Sequence, residues 1–188
     1  MAKPSYLPEE VTTYWDPDEG RVVQPAGTVL QVQHVYRTGT QTISQSWGFT
    51  KLSGLAVTIT PKSSSSYFLL EAVINHSAGY YSTGFRFYKN DVLIDSLLGN
   101  TSGSRTSVAF GHTEYDGNSG NEDYNMYMSV GKQMHQESGT IGTPIEYSIY
   151  GSSYSSSHPL SINYAYDNSD ADSRIRTVSS FTVTEIEA

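Results

Sequence analysis

Nowhere in the 188 residues do apolar side chains recur for long at the i, i+3, i+4, i+7 spacing of a helix; short segments alternate apolar and polar residues instead. A period of two sends successive side chains to opposite faces of an extended chain, which is the geometry of a half-buried β-strand. Val29, Leu30, Val32, Val35 and Tyr36 open the series, followed by the stretch from Thr42 to Phe49. In Leu55-Ala56-Val57-Thr58-Ile59 the odd positions are apolar. Tyr67 to Ile74 is almost wholly apolar apart from Glu71, which suits a central strand. Phe85 to Tyr88 runs through Lys89-Asn90-Asp91 into Val92-Leu93-Ile94, the signature of a hairpin. Arg105–Phe110, Tyr124–Val130, Ile145–Ile149, Leu160–Tyr164 and Val178–Ile186 complete the set.

About ten short strands separated by Gly, Ser, Asn and Pro predict an all-β domain, a jelly-roll-like antiparallel β-sandwich over residues 28–188. The composition agrees. Only 16% of residues are charged and 15 are Tyr, a profile of sheet surfaces rather than helices. A body of this size buries enough surface to stand without cross-links, and with no cysteine it has neither disulfides nor thiolate metal sites. No repeat of fixed period, heptad or collagen triplet builds a fibrous shaft.

Residues 1–27 read differently. They hold four of the seven prolines, Pro4, Pro8, Pro17 and Pro25, at spacings that forbid a regular helix or a central strand. Tyr6, Leu7, Val11, Tyr14, Trp15, Val22 and Val23 stand between them, whereas an idle disordered tail is poor in aromatic and β-branched residues. The segment is therefore expected to be an extended arm. Its apolar side chains dock either on a partner chain or back on their own domain. Tyr6, Leu7, Val11, Tyr14, Trp15 and Val22 are the expected anchors.

The net charge of −8, with few basic residues and none clustered, opposes binding to nucleic acid. No run of 18 apolar residues offers a membrane helix, and Met1-Ala2-Lys3-Pro4 has no apolar stretch behind it to make a secretory signal. The expectation is a protein made in a cytosol that leaves, if at all, by another route such as cell lysis.

Chemistry-bearing patterns are weak. His34, His76, His112, His135 and His158 form no i+2 or i+4 pair, so they read as surface or hydrogen-bonded histidines. Two loops, Asp116–Asp123 and Asp167–Asp172, offer the hard oxygens calcium prefers, but neither follows an EF-hand template and both suit ordinary turns. No nucleophile elbow of the G-x-S-x-G type occurs, and the Glu122–Asp123 carboxylates sit in a glycine-rich loop. The reading is a non-enzyme without cofactor or metal. Tyr80, Tyr81, Tyr115, Tyr150, Tyr154, Tyr164 and Tyr166 fall in or near loops, where they either cap the core or form contacts.

Gly27-Thr28-Val29-Leu30-Gln31-Val32, the segment Leu55 to Pro61 with the serines after it, Tyr67–Leu70, Phe85–Tyr88 and the ending Phe181–Ala188 together resemble a β-sandwich module common in tailed phages, particularly those of cyanobacteria and other aquatic bacteria. That module occurs in virion structural and fibre-associated proteins, and the resemblance spans residues 27–188. It implies a location in the virion, with assembly in the host cytoplasm. A compact body behind a short arm, without a shaft, looks like a capsid cement or decoration protein. Its implied partners are the major capsid protein and its own copies, as a homodimer or homotrimer. The alternative is a tail-fibre or host-receptor-binding module recognising surface glycan. The resemblance implies no catalytic residues.

Overall fold

The computed structural model describes residues 14–18, 20–78, 82–113, 125–138, 140–165, 167–172 and 174–188. Two antiparallel sheets pack face to face. The larger contains β3 (Val29–Arg37), β4 (Gln41–Ile43), β6 (Ser65–Ser77), β10 (Tyr127–Ser138), β12 (Leu160–Ile162) and β13 (Ser179–Glu187). The smaller contains β5 (Thr50–Ile59), β7 (Thr83–Lys89), β8 (Val92–Leu93), β9 (Phe110–His112) and β11 (Ile145–Ser153). β1 (Tyr14–Asp16) and β2 (Arg21–Val23) pair only with each other. Among the described residues there is no α-helix; the one helical turn is 3₁₀, Asp95–Leu97.

The chain passes from one sheet to the other as it goes from β5 to β6 to β7, and again from β10 to β11 to β12. Apart from the β7–β8 hairpin, strands that lie side by side in the two sheets are consequently not consecutive in sequence, as in a jelly roll. β6 is the central strand. Along one side it pairs with β10 over its whole length, and along the other with β13 and then β12. Its even residues Phe68, Leu70, Ala72 and Ile74 enter the core. There they meet Leu55, Val57 and Ile59 of β5, Phe85 and Phe87 of β7, Tyr147 and Ile149 of β11, and Phe181 and Val183 of β13. Full burial of each such side chain contributes about 1.5–3 kcal/mol.

Local chemistry explains the turns. The β7–β8 hairpin turns on Asn90 and Asp91, both at positive φ (49° and 60°), the conformation a two-residue I′ turn requires and one that Asn and Asp tolerate. Gly131 lets β10 approach β9: a Cβ there would lie 2.4 Å from the Phe110 ring.

Several expected strands are shorter. Of Thr42–Phe49 only Thr42 and Ile43 are strand, in β4, and further along Trp47 takes a positive φ (49°). Of Arg105–Phe110 only Phe110 enters a strand. The preceding backbone is satisfied irregularly, with Arg86 donating twice to the Ser107 carbonyl (3.0 and 2.7 Å). Tyr150 lies within β11 rather than in a loop, stacked on Tyr88 with ring centroids 3.8 Å apart.

Candidate functional site

Of the expected arm anchors, Tyr6, Leu7 and Val11 lie outside the described residues. Tyr14 is placed in β1 opposite Val23, and Trp15 stands opposite Val22. Cross-strand partners share one face of a two-stranded ribbon, so Trp15 and Val22 form an aromatic–aliphatic pair. They stay 62% and 46% exposed, and neither contributes to the hydrophobic core. The ribbon reverses between Asp16 and Arg21, with Gly20 at positive φ (65°). It is tied to the sandwich just beyond: Gly27 N–H donates to the Glu187 carbonyl (2.8 Å) and Glu187 N–H to the Thr28 carbonyl (2.9 Å). A cleft of about 840 Å³ opens between ribbon and body, with Val22 and Gln24 on one wall and Leu30, Pro61, Lys62 and Ile141 on the other.

A second surface escaped the sequence reading. The outer face of the large sheet, across β10, β6, β13 and β3, is arranged in rows set by the pairing register. Val130, Val73, Ser180 and Tyr36 form one row, and Met134, Leu69, Thr184 and Val32 another. Gln136, Tyr67, Ile186 and Val29 form a third. Between the first two lies a polar row, Lys132, Glu71, Thr182 and His34. Its members are paired within the chain: Lys132 Nζ lies 2.8 Å from Glu71 Oε1, and His34 Nδ1 2.8 Å from Thr182 Oγ1. The exposed large apolar residues of this face are Val29, Val32, Tyr36, Met128, Val130 and Met134.

The histidines are scattered in sequence, but the fold brings two together. His76 on β6 is fully buried; its Nε2 lies 2.8 Å from Ser129 Oγ and its ring centroid 6.4 Å from that of His112. His112 in turn stacks on Tyr127 at 4.0 Å. Burial first, and the nearby His112 charge second, hold the His76 imidazole far below its ordinary range, at about 3, so it is neutral. Its Nδ1 side faces the Thr83 hydroxyl (3.5 Å) rather than a carboxylate, so the Ser129–His76 contact has no acidic third member. Among the described residues no three His, Cys, Asp or Glu side chains converge to hold a metal. Asp167 is engaged by Arg174 Nη2 (2.9 Å) and by the Ser169 N–H (3.0 Å), which hold its carboxyl below the usual range in an ordinary Asx-type turn. Asp116–Asp123 lies outside the described residues, as do Tyr80, Tyr81, Tyr115 and Tyr166.

Tyr164 is buried and bonded to the Thr42 hydroxyl, a core-capping role. Tyr154 is exposed and borders a groove of about 530 Å³ with Trp47, Arg105 and His112. No protein-family model matches the chain, and no curated protein matches it.

Proposed function

We propose that the chain is a virion structural protein, a capsid decoration protein whose arm fastens the sandwich to the outer surface of the shell. The observation that carries this reading is the Trp15–Val22 pair, left largely exposed on a ribbon that stands apart from the sandwich core. Extended segments of this kind gain affinity by placing anchors along a neighbour's surface and by adding strands to exposed edges. The phage setting comes from the resemblance of residues 27–188 and makes the major capsid protein the partner. The same reading makes the protein a non-enzyme.

The test is binding to capsids lacking the protein, measured by co-sedimentation over a concentration series. Buried tryptophan anchors typically carry 2 kcal/mol or more, so Trp15→Ser with Val22→Ser is expected to weaken binding at least about 30-fold. Deleting residues 2–26 is expected to abolish it. Undiminished affinity of the truncated chain would show that the arm is not the clamp.

A second reading, a tail-fibre module binding host glycan, is favoured by the groove beside Trp47 and Tyr154, since aromatic faces stack on sugar rings. Quantitative mass spectrometry of purified virions separates the two. Copies on the order of hundreds per particle match a shell protein following capsid symmetry; about a few tens or fewer match a fibre and reject the decoration reading.

A further inference from the structure

We infer that the outer face of the large sheet is a self-association surface on which a second copy of this chain docks face to face. Three observations select that occupant.

The first is apolarity in one place. Six large apolar side chains, Val29, Val32, Tyr36, Met128, Val130 and Met134, are 48–69% exposed, and all point outward from this one face. The partly buried Leu69, Val73, Tyr67 and Ile186 fill the spaces between them. Soluble monomers scatter such residues singly, whereas a contiguous patch marks an interface.

The second is charge. The chain carries −8, so two copies repel each other over most of their surfaces. The face is the exception: its rows hold one cation, Lys132, and one anion, Glu71, side by side on β10 and β6, so their charges cancel. Two copies therefore meet there without the repulsion that their remaining surfaces exert, and an isologous contact presents the same neutral patch on both sides. Lys132, Glu71, His34 and Thr182 already have partners within their own chain, so docking buries no orphan charge.

The third is extent. Four strands about 4.8 Å apart, over the roughly 27 Å from Met128 to Gln136, give a projected face of about 500 Å² per copy. Two copies together bury about 1,000 Å² or more, the lower bound for a specific interface.

Sedimentation-velocity runs on the full chain from about 1 to 100 μM, a range suited to an interface at the lower size bound, are expected to show a concentration-dependent dimer. Val130→Lys is expected to raise the dissociation constant at least 10-fold with an unchanged circular-dichroism melting curve, because the position is solvent-facing. A charge exchange tests the charge balance of the face. Lys132→Glu alone and Glu71→Lys alone each leave the face with two like charges that repel the same face of a second copy, and each is expected to be monomeric. Mixed together, they are expected to form a heterodimer that neither forms alone. A monomeric wild-type chain at 100 μM, a dimer insensitive to Val130→Lys, or a mixture that stays monomeric overturns the inference. Loss of the dimer in Trp15→Ser, with the face intact, overturns it as well by moving the contact to the arm. None of these outcomes bears on capsid binding, so this inference and the decoration reading fail separately.

Discussion

Lowering the pH from 7 to 4.5 is expected to remove roughly 2–3 kcal/mol of stability through His76 alone. The folded protein holds this ring neutral down to about 3, while in the unfolded chain it takes up a proton near its ordinary 6.5. Below 6.5 the unfolded state therefore binds a proton that the folded state refuses. The stability associated with the neutral ring is complete above 6.5, declines as the pH falls, and levels off only near 3. The cause is geometric. His76 sits fully buried on the inner face of β6, against the Phe85 ring (5.1 Å between centroids), Tyr127 and His112, with only hydroxyls to bond. Urea denaturation at pH 7 and 4.5 measures the effect. His76→Gln keeps hydrogen-bonding capacity without titrating, so its stability is expected to fall much less between the two pH values. Burial also holds His135 low, and its own variant separates that contribution. An acid response identical in wild type and His76→Gln would show that the buried imidazole is not its source.

Glu185→Ala is expected to cost on the order of 3–5 kcal/mol, a large share of the roughly 5–15 kcal/mol that holds a domain folded. Glu185 is fully buried at the end of the sandwich where β13 passes the β5–β6 turn. One carboxylate oxygen accepts from the Lys62 N–H (2.8 Å), the Ser63 N–H (3.3 Å) and the Ser66 hydroxyl (2.8 Å); the other accepts from Gln31 Nε2 (2.5 Å). Alanine leaves these donors without an acceptor where water has little access, and each unsatisfied buried group costs about 1–3 kcal/mol. Glu185→Gln keeps an oxygen for the first three donors and disturbs only the contact to Gln31, so about half the loss is expected. Chemical denaturation midpoints decide the matter. Equal midpoints for the Ala and Gln variants would mean that the turn does not depend on this acceptor. The same contact has a consequence for the arm, since Glu187, two residues on, carries the backbone bonds that fix Gly27 and Thr28.

Strand positions were readable because apolar alternation and turn residues act locally. Leu55, Val57 and Ile59 occupy the core as their spacing requires, and Asn90-Asp91 makes the hairpin turn that its residues favour. The direction in which an alternating strand faces is a different matter. Met128 and Val130 alternate as cleanly as Phe68 and Leu70, yet they face outward while Ser129 and Gly131 face in. Period two defines two faces but not which one meets the core; that is fixed by pairing with β6, since a shift of one residue would turn every side chain over. The Trp15–Val22 pair was legible as two apolar residues in a proline-spaced arm, but its cross-strand geometry was not.

The fold class and the composition of the arm were legible in the residues alone. Alternation, turn chemistry and proline spacing are short-range constraints that a few neighbouring residues impose on the backbone. That His76 and His112 meet, that Glu185 collects donors from two distant segments, and that six apolar side chains from two strands share one outward face came from strand pairing and packing. Each of these joins strands far apart in the chain, and no local preference encodes which distant strand will be the neighbour.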